Sequence, residues 1–118
     1  METCKIVSYL GIEAERLGRP GCQGAKARRL ISEEDGSKNF HARIIEILPS
    51  GMIPPHKHDH EHCAFILEGK CIIVCGGKEK TAETGSVVFI PSDVIHSWHN
   101  KTNKVTVFFL VDVFPSLS

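Results

Sequence analysis

Histidine is the residue type in this sequence that points most directly to chemistry. The 118-residue chain has seven histidines, and four of them lie within residues 55–63. His56 and His58 are two positions apart, so on a β-strand both side chains point to the same face. If the chain then turns and returns from His62, a third imidazole lies beside the first two. Imidazole is a borderline ligand for Mn, Fe, Ni, Cu or Zn, so the cluster predicts a site for one divalent transition metal.

A fourth candidate ligand is His96, which lies in the segment 85–100. Pro91 and the turn residues after it direct the chain back toward the interior of a barrel. His60 lies within the tight turn itself, and we expect its side chain to be exposed and not to bind the metal. A shift of strand register would let His60 replace His62 as a ligand, and the sequence leaves that alternative open.

Short β-strands must position these histidines. From Asn39 onward, short apolar runs alternate with turn residues, which is typical of an antiparallel sandwich or barrel. No segment after residue 38 has the periodicity of a helix. We therefore predict an all-β fold with strands at residues 40–48, 53–58, 63–67, 70–75, 79–83, 86–90, 95–99 and 105–113.

The first 38 residues are less regular. Residues 5–10 and 26–31 have the composition of strands, whereas residues 11–24 are interrupted by glycine and proline and cannot form one regular element. The sequence shows no internal repeat and no second domain. It predicts one domain over all 118 residues. A strand and loop extension at 1–38 is followed by the barrel at 39–113.

Composition argues against several classes of protein. Lys and Arg together number 14, as do Asp and Glu, so the formal net charge is zero. Nucleic acids and anionic membranes attract proteins with an excess of positive charge, so we expect neither as a partner. No apolar run reaches the roughly 18 to 20 residues that cross a bilayer. The N-terminus does not resemble a secretory signal, and the five cysteines contain no C-x-x-C pair, so we expect a cytoplasmic protein.

The segment around His96 resembles the second motif of the cupin superfamily, which is usually written G-x5-P-x-G-x2-H-x3-N. Gly85, Pro91, His96 and Asn100 occupy the matching positions at the family's spacing. Only the inner glycine of the motif departs, because this chain has Asp93 there. The resemblance implies that His96 is a metal ligand.

The segment around His56 is similar to the first cupin motif, usually written G-x5-H-x-H-x(3,4)-E-x6-G. This chain has Gly51, His56, His58, His62 and Gly69 in that order. The leading spacer is one residue shorter than in the family pattern, and a histidine replaces the usual glutamate. The chain therefore resembles small single-domain cupins, the cupin type-2 proteins, in which four histidines bind the metal.

This resemblance implies a small antiparallel jelly-roll β-barrel over about residues 39–113, with the metal inside. Four neutral imidazoles leave a divalent ion its full charge, whereas a carboxylate ligand removes one unit, so the all-histidine site is the stronger Lewis acid. Cupins are commonly dimers, and an open sheet edge can be covered by a strand of a partner. We therefore expect a homodimer in which residues 5–10 pair with the neighbouring sheet.

The function that we favour from the sequence is a dioxygenase-like oxidoreductase acting on a small metal-chelating substrate. Two other classes stay open. The first is a non-catalytic module or sensor that binds a metal or a small molecule. The second is an isomerase or epimerase of the kind that acts on sugars. All three take a small-molecule ligand.

Four apolar residues are candidates for the pocket wall. Ile53, Phe108 and Leu110 match pocket positions in the four-histidine relatives, and Trp98 has the same strand parity as His96. Packing in the core would explain the same residues. The parity argument therefore leaves both interpretations open.

Three charged residues on predicted strands are further candidates. Arg43 either meets a carboxylate of the substrate or, as we favour, is exposed to solvent. Glu46 and Asp112 could each face the barrel interior, and the sequence does not place them. We identify no general acid or base, so proton chemistry would depend on the metal or on the substrate itself.

Overall fold

Strands make up most of the computed structural model, which describes residues 3–115. The strands are β1 Glu15–Arg16, β2 Gln23–Ile31, β3 Phe40–His56, β4 Glu61–Glu68, β5 Lys70–Cys75, β6 Lys78–Glu83, β7 Val87–Ile90, β8 His96–His99 and β9 Thr106–Val113. Two short 3₁₀ turns, Tyr9–Gly11 and Glu33–Asp35, are the helical elements of the described residues. Within the same range, no helix has the length and apolar character needed to cross a membrane.

The strands form one antiparallel sheet that curls almost into a barrel. Their order is β6-β5-β8-β3-β9-β4-β7, β2 also pairs with β3, and β1 pairs with β2. Every pairing between neighbouring strands is antiparallel. The predicted all-β fold of the antiparallel jelly-roll type is confirmed.

The longest strand, β3, corrects the sequence prediction. We predicted that the chain breaks at Pro49-Ser50-Gly51, but it continues as one strand to His56. Ser50 takes the left-handed conformation, with φ of 65°, and its N–H donates to the carbonyl oxygen of Asn100 at 2.9 Å. Because the strand bends here instead of ending, its first half pairs with β9 and its last residues pair with β8.

The strand predicted at residues 5–10 is absent from the single chain. These residues pair with no strand, and Lys5 donates to the carbonyl oxygen of Leu30 and to the carboxylate of Asp35, each at 2.8 Å. Arg28 donates to two backbone carbonyls in and just after the first 3₁₀ turn. Side-chain contacts from Lys5 and Arg28 therefore attach this segment to β2 and the second 3₁₀ turn in place of a strand ladder.

Alternation along the strands builds the core. Ile45, Ile47 and Ile53 of β3 point inward with Ile66 of β4, and each is at most 8% exposed. Trp98 of β8 stacks on Phe108 of β9, with ring centroids 4.3 Å apart and planes 12° from parallel. The barrel interior is therefore filled by side chains along most of its length, and the histidines occupy one end.

Candidate metal centre

His56, His58 and His96 meet at one end of the barrel. The register of β3 and β8 pairs His56 directly with His96, and their ring centroids are 4.3 Å apart. His58 follows the end of β3, with its ring centroid 4.6 Å from that of His56. The candidate ligand nitrogens of all three rings lie within 4.8 Å of one another. The structure therefore gathers three of the four predicted ligands into one group.

Backbone carbonyls hold two of these rings in a fixed orientation. Nδ1 of His56 lies 2.7 Å from the carbonyl oxygen of Pro54, and Nδ1 of His96 lies 2.9 Å from that of Val94. A carbonyl oxygen only accepts, so each neutral ring carries its proton on Nδ1 and its lone pair on Nε2. Metal-binding histidines are commonly oriented by a second hydrogen bond of this kind.

His62 lies at the start of β4 and is only 5% exposed. Its ring centroid is 5.1 Å from those of His58 and His96. Nδ1 lies 2.7 Å from Oδ1 of Asp112, its cross-strand neighbour on β9, although the N–H bond is poorly aligned with that oxygen. Nε2 is buried and has no hydrogen-bond partner among the described residues. Burying an unpartnered nitrogen is costly, and coordination of an ion would satisfy it, so this donor set fits a transition metal.

His60 corrects a prediction, because its side chain is only 14% exposed. Its ring stacks on that of His58, with centroids 4.7 Å apart and planes 15° from parallel. Its Nε2 lies 3.7 Å from Oδ1 of Asp112. The turn folds back over the site instead of pointing into solvent. His58, His60 and His62 consequently form a second group whose ligand nitrogens lie within 4.8 Å of one another.

Burial keeps the rings of the first group neutral. Desolvation, reinforced by the neighbouring histidines, lowers the pKa of His58 to about 4. Desolvation also lowers the pKa of His96 to about 4, against the opposing effect of its bond to Val94, and it lowers the pKa of His56. Only the neutral imidazole has a lone pair for a metal, so near pH 7 these rings are ready to coordinate.

Asp112 faces the site, whereas Glu46 does not. Burial raises the pKa of Asp112. The contact with His62 and the charge of Arg43 together lower it by more than burial raises it, so the pKa ends below its usual value. The ionised carboxylate therefore favours a proton on Nδ1 of His62 and a free lone pair on Nε2. Glu46 lies on the other face of β3, where it accepts from Arg28 at 2.8 Å.

Arg43 is not the exposed surface residue that we favoured from the sequence. Its Nη2 donates to Oδ2 of Asp112 at 3.1 Å, and its Nε is buried without a hydrogen-bond partner among the described residues. Arg43 has the same strand parity as Ile45 and Ile47, which point into the barrel. The sequence already shows this parity, which places Arg43 on the inward face of the strand. We favoured an exposed position because the side chain is charged.

The rings open onto a cavity of about 60 Å³, which we call the inner pocket. All four predicted wall residues line it, and so do residues that the sequence did not indicate. The lining consists of Leu17, Arg19, Cys22, Arg43, Ile45, Ile53, His56, His58, His62, His96, Trp98, Phe108 and Leu110. Leu17, Arg19 and Cys22 come from the segment that joins β1 to β2. Their positions depend on packing between distant parts of the chain, and no local pattern reveals them.

The family model described as "Cupin domain" matches residues 43–114, which include both histidine segments. This chain belongs to the cupin family. The matched region runs from within β3 to the residue after β9, so β1 and β2 lie outside it. No curated protein matches the cupin chain.

Solved structures show the same fold over nearly the whole chain. The polyketide cyclase RemF from Streptomyces resistomycificus is 28% identical, with a TM-score of 0.88, covering 98% of this cupin and 83% of RemF. A predicted oxalate decarboxylase from Thermotoga maritima is 24% identical, with a TM-score of 0.87, covering 94% of this chain and 100% of the other. KdgF from a Halomonas species is 12% identical, with a TM-score of 0.78 and 97% of each chain covered. The last two support the fold alone.

Proposed function

We propose that this cupin binds one divalent transition metal through His56, His58, His62 and His96. The observation that carries the proposal is the buried Nε2 of His62, which has no hydrogen-bond partner among the described residues. Nearby, His56 and His96 hold their protons on Nδ1 against carbonyl oxygens, which leaves their Nε2 lone pairs free. An all-imidazole donor set suits Fe, Ni, Cu or Zn better than Mn.

Metal analysis of protein purified without added metal, and again after reloading, tests this ligand set. We expect His62→Ala to lose the metal and His60→Ala to keep it. The two variants are matched, because both rings lie close to Asp112 and the two residues lie two positions apart where the chain enters β4. His62→Glu should also keep the metal, because it restores the commoner cupin ligand. Loss of metal in His60→Ala together with retention in His62→Ala would transfer the ligand role to His60.

We further propose that the site serves a dioxygenase-like oxidoreductase that acts on a small metal-chelating substrate. When bound, a divalent metal supplies Lewis acidity that polarises chelated oxygen atoms. Ile53, Trp98, Phe108 and Leu110 line the inner pocket with apolar surface, which excludes water from the ligand. No carboxylate lines the inner pocket among the described residues. A substrate therefore has to bring its own ionisable oxygen, as diketones, catechols and flavonols do.

A second candidate reaction is metal-dependent ring closure. The likeness to the polyketide cyclase RemF, at 28% identity over 98% of this chain, favours it. Ring closure of a chain that carries several carbonyl groups also requires a chelating, enolisable substrate. It differs from the first reaction because it consumes no dioxygen.

Oxygen uptake separates these possibilities. The metal-loaded protein is incubated with diketones, catechols and flavonols while dissolved oxygen and products are followed, with metal-loaded His99→Ala as a matched control. His99 lies on β8 beside the site, but it does not line the inner pocket. Oxygen consumption by both proteins supports the dioxygenase. An isomeric product without oxygen consumption indicates a cyclase, isomerase or epimerase, and binding without turnover indicates a non-catalytic module or sensor.

We also propose that two copies of this cupin form a homodimer. Phe65, Val87 and Phe89 form an apolar strip on the outer face of β4 and β7, with 42%, 68% and 59% of their surfaces exposed. Residues 5–10 carry further exposed apolar side chains and pair with no strand of their own chain, so they are available to a neighbouring sheet. Light scattering should report about twice the 13.1 kDa chain mass. A mass near 13.1 kDa at micromolar concentration would contradict the proposal.

We place the protein in the cytoplasm, where thiols stay reduced. The supporting observation is that all five cysteines are free, including the exposed Cys4 and Cys63. Fractionation of the source cells, with detection by an antibody, tests this assignment.

A further inference from the structure

A second cavity, which we call the outer pocket, adjoins the metal centre. It measures about 360 Å³ and shares Arg19, Arg43 and His58 with the inner pocket. The inner pocket, at about 60 Å³, is much smaller. At roughly 10–15 Å³ for each water-sized group, it holds only the few atoms of a chelating head. The shared residues place the outer pocket where a larger substrate can extend past His58.

Three arginine side chains line the outer pocket, namely Arg19, Arg29 and Arg43. Arg19 and Arg43 also line the inner pocket, whereas Arg29 does not. Arg29 of β2 lies directly opposite Arg43 of β3 in the register of the two strands. Like charges placed directly opposite one another destabilise a sheet. A bound anion would remove this repulsion.

Most of the donor capacity of these arginines is unused. Arg43 forms an ion pair with Asp112 at 3.1 Å, yet its buried Nε has no hydrogen-bond partner in the described part of the chain. Neither Arg19 nor Arg29 forms an ion pair within residues 3–115. A guanidinium group donates in a planar fork that matches the two oxygens of a carboxylate.

Neither Arg19 nor Arg29 pairs with an acidic residue of the outer pocket within residues 3–115. Asp112 is already engaged by Arg43 and His62. Glu33 and Glu34, on the second 3₁₀ turn, also line the cavity, and both are exposed without an ion pair to a described cation. Arg19 and Arg29 are exposed as well, so solvent screens these arginines and carboxylates alike. The partly buried Arg43 is therefore the least screened arginine beside the metal centre.

We propose that the outer pocket binds a carboxylate of a substrate whose other end chelates the metal. The proposal rests on the proposed function and narrows it, because it defines the substrate class as small organic acids with a chelating head and a second anionic group. Arg29 and Arg19 receive the distal carboxylate. Arg43 stands between the two pockets and holds Asp112 against His62.

The test compares two probes that differ only in the distal group. 2-Oxoglutarate has a chelating 2-oxo acid head and a distal carboxylate, whereas 2-oxopentanoate has the same head and a methyl group in its place. Calorimetric titration of the metal-loaded protein should show that 2-oxoglutarate binds more tightly by about tenfold or more, the gain expected from one charge-assisted pair.

Arginine variants show which side chains cause the preference for 2-oxoglutarate over 2-oxopentanoate. We expect Arg29→Gln to reduce the ratio of the two dissociation constants severalfold, by weakening 2-oxoglutarate and leaving 2-oxopentanoate unchanged. Arg19 also lines the inner pocket, so Arg19→Gln should weaken both probes but 2-oxoglutarate more, which again reduces the ratio. Arg16→Gln is the matched control, because Arg16 is an exposed arginine of β1 that lines neither pocket. It should keep the ratio of the wild type. Equal affinity of the wild type for both probes, or a ratio that survives both test variants, overturns the proposal.

Metal analysis of each sample separates this result from a failure of the proposed function. If the protein takes up no metal, the proposed function fails, and the comparison is repeated on the metal-free protein with glutarate and pentanoate. A preference for glutarate that falls in Arg29→Gln but not in Arg16→Gln then still supports the carboxylate site. No preference, or one that is insensitive to both changes, again overturns it.

Discussion

The buried polar side chains at the two ends of strand β8 differ in how completely they are hydrogen-bonded. Asn100, just after the strand, is 1% exposed. Its Nδ2 donates to the carbonyl oxygens of Ile47 and Lys104, at 2.8 and 2.7 Å, and its Oδ1 accepts from the backbone and side chain of Thr102. At the other end, His96 lies beside His62, which is also buried but whose Nε2 has no hydrogen-bond partner within residues 3–115.

The difference separates a structural role from a binding role. A fully hydrogen-bonded amide locks one arrangement of the backbone, and anything added to it would have to displace a bond that already exists. A buried nitrogen with a free lone pair destabilises the protein until a ligand satisfies it. His96 and Asn100 are four residues apart in one motif, so the motif combines a proposed ligand with the residue that stabilises its strand.

The largest expected effect is on metal binding at the histidine end. In His96→Ala we expect metal affinity to fall by more than about a hundredfold, because losing a ligand costs more than losing a partner that only orients one. Competition with a chromophoric chelator measures the change. His99→Ala is the control, since His99 bonds to Ser97 on the same strand and lines neither pocket. Equal losses in the two variants would remove the distinction between the ends.

The second effect is on stability at the asparagine end. Asn100→Ala removes the buried donor to the carbonyl oxygen of Ile47, whereas the carbonyl oxygen of Lys104 still accepts from Oγ1 of Thr102. We therefore expect the free energy of unfolding to fall by about 1–3 kcal/mol. Asn103→Ala, an exposed position in the same turn, should change it by less than about 0.5 kcal/mol. Urea unfolding measures both. Metal stoichiometry in folded Asn100→Ala should equal that of the wild type, and a large loss of metal would show that the two ends are not independent.

A smaller effect is expected when the partner of a ligand is changed. Asp112→Asn keeps the size of the side chain but removes the charge that favours a proton on Nδ1 of His62. We expect metal affinity to fall by about 10- to 100-fold. Glu46→Gln is matched, because Glu46 is also a strand carboxylate paired with an arginine, but it lies away from the site. Titration with the same chelator should show no change for Glu46→Gln.

A further expected effect is a dependence of metal-free stability on pH. The folded-state pKa of His58 and that of His96 are lowered to about 4, whereas the unfolded chain has the ordinary value near 6.5. Between these values the unfolded state binds more protons, so stability falls as pH falls from about 6.5 to about 4. Urea unfolding at several pH values should show a flatter profile for the His58→Gln, His96→Gln double variant. His99→Gln should retain the wild-type slope, and an unchanged slope in the double variant would contradict the assignment.

Strand alternation predicted most of the sheet, and the exceptions have physical causes. The strand predicted at 70–75 has the same bounds as β5, and the strands predicted around it differ by only a few residues at their ends. The break predicted at Pro49-Ser50-Gly51 is wrong because Asn100, fifty residues later in the chain, bonds the backbone across the bend. Local sequence cannot report a partner at that distance.

The site was predictable to the extent that it follows from spacing. The rings of His56, His58, His62 and His96 lie together as the motif spacing indicated. The burial of His60 was missed, because the conformation of a turn depends on what it packs against, here His58 and Asp112. Arg19 and Arg29 were missed for a similar reason. Their relation to the site exists only after β2 has paired with β3.

The length of β3 also determines when the binding site can form during folding. Phe40, its first residue, pairs with Val113, close to the other end of the sequence. Until β9 has left the ribosome, the first half of β3 lacks that neighbour and can pair only with β2. Pairings between such distant segments form slowly, on the order of milliseconds to seconds. We therefore expect the proposed ligand set to be complete only late in folding, so that a metal would not guide the early steps.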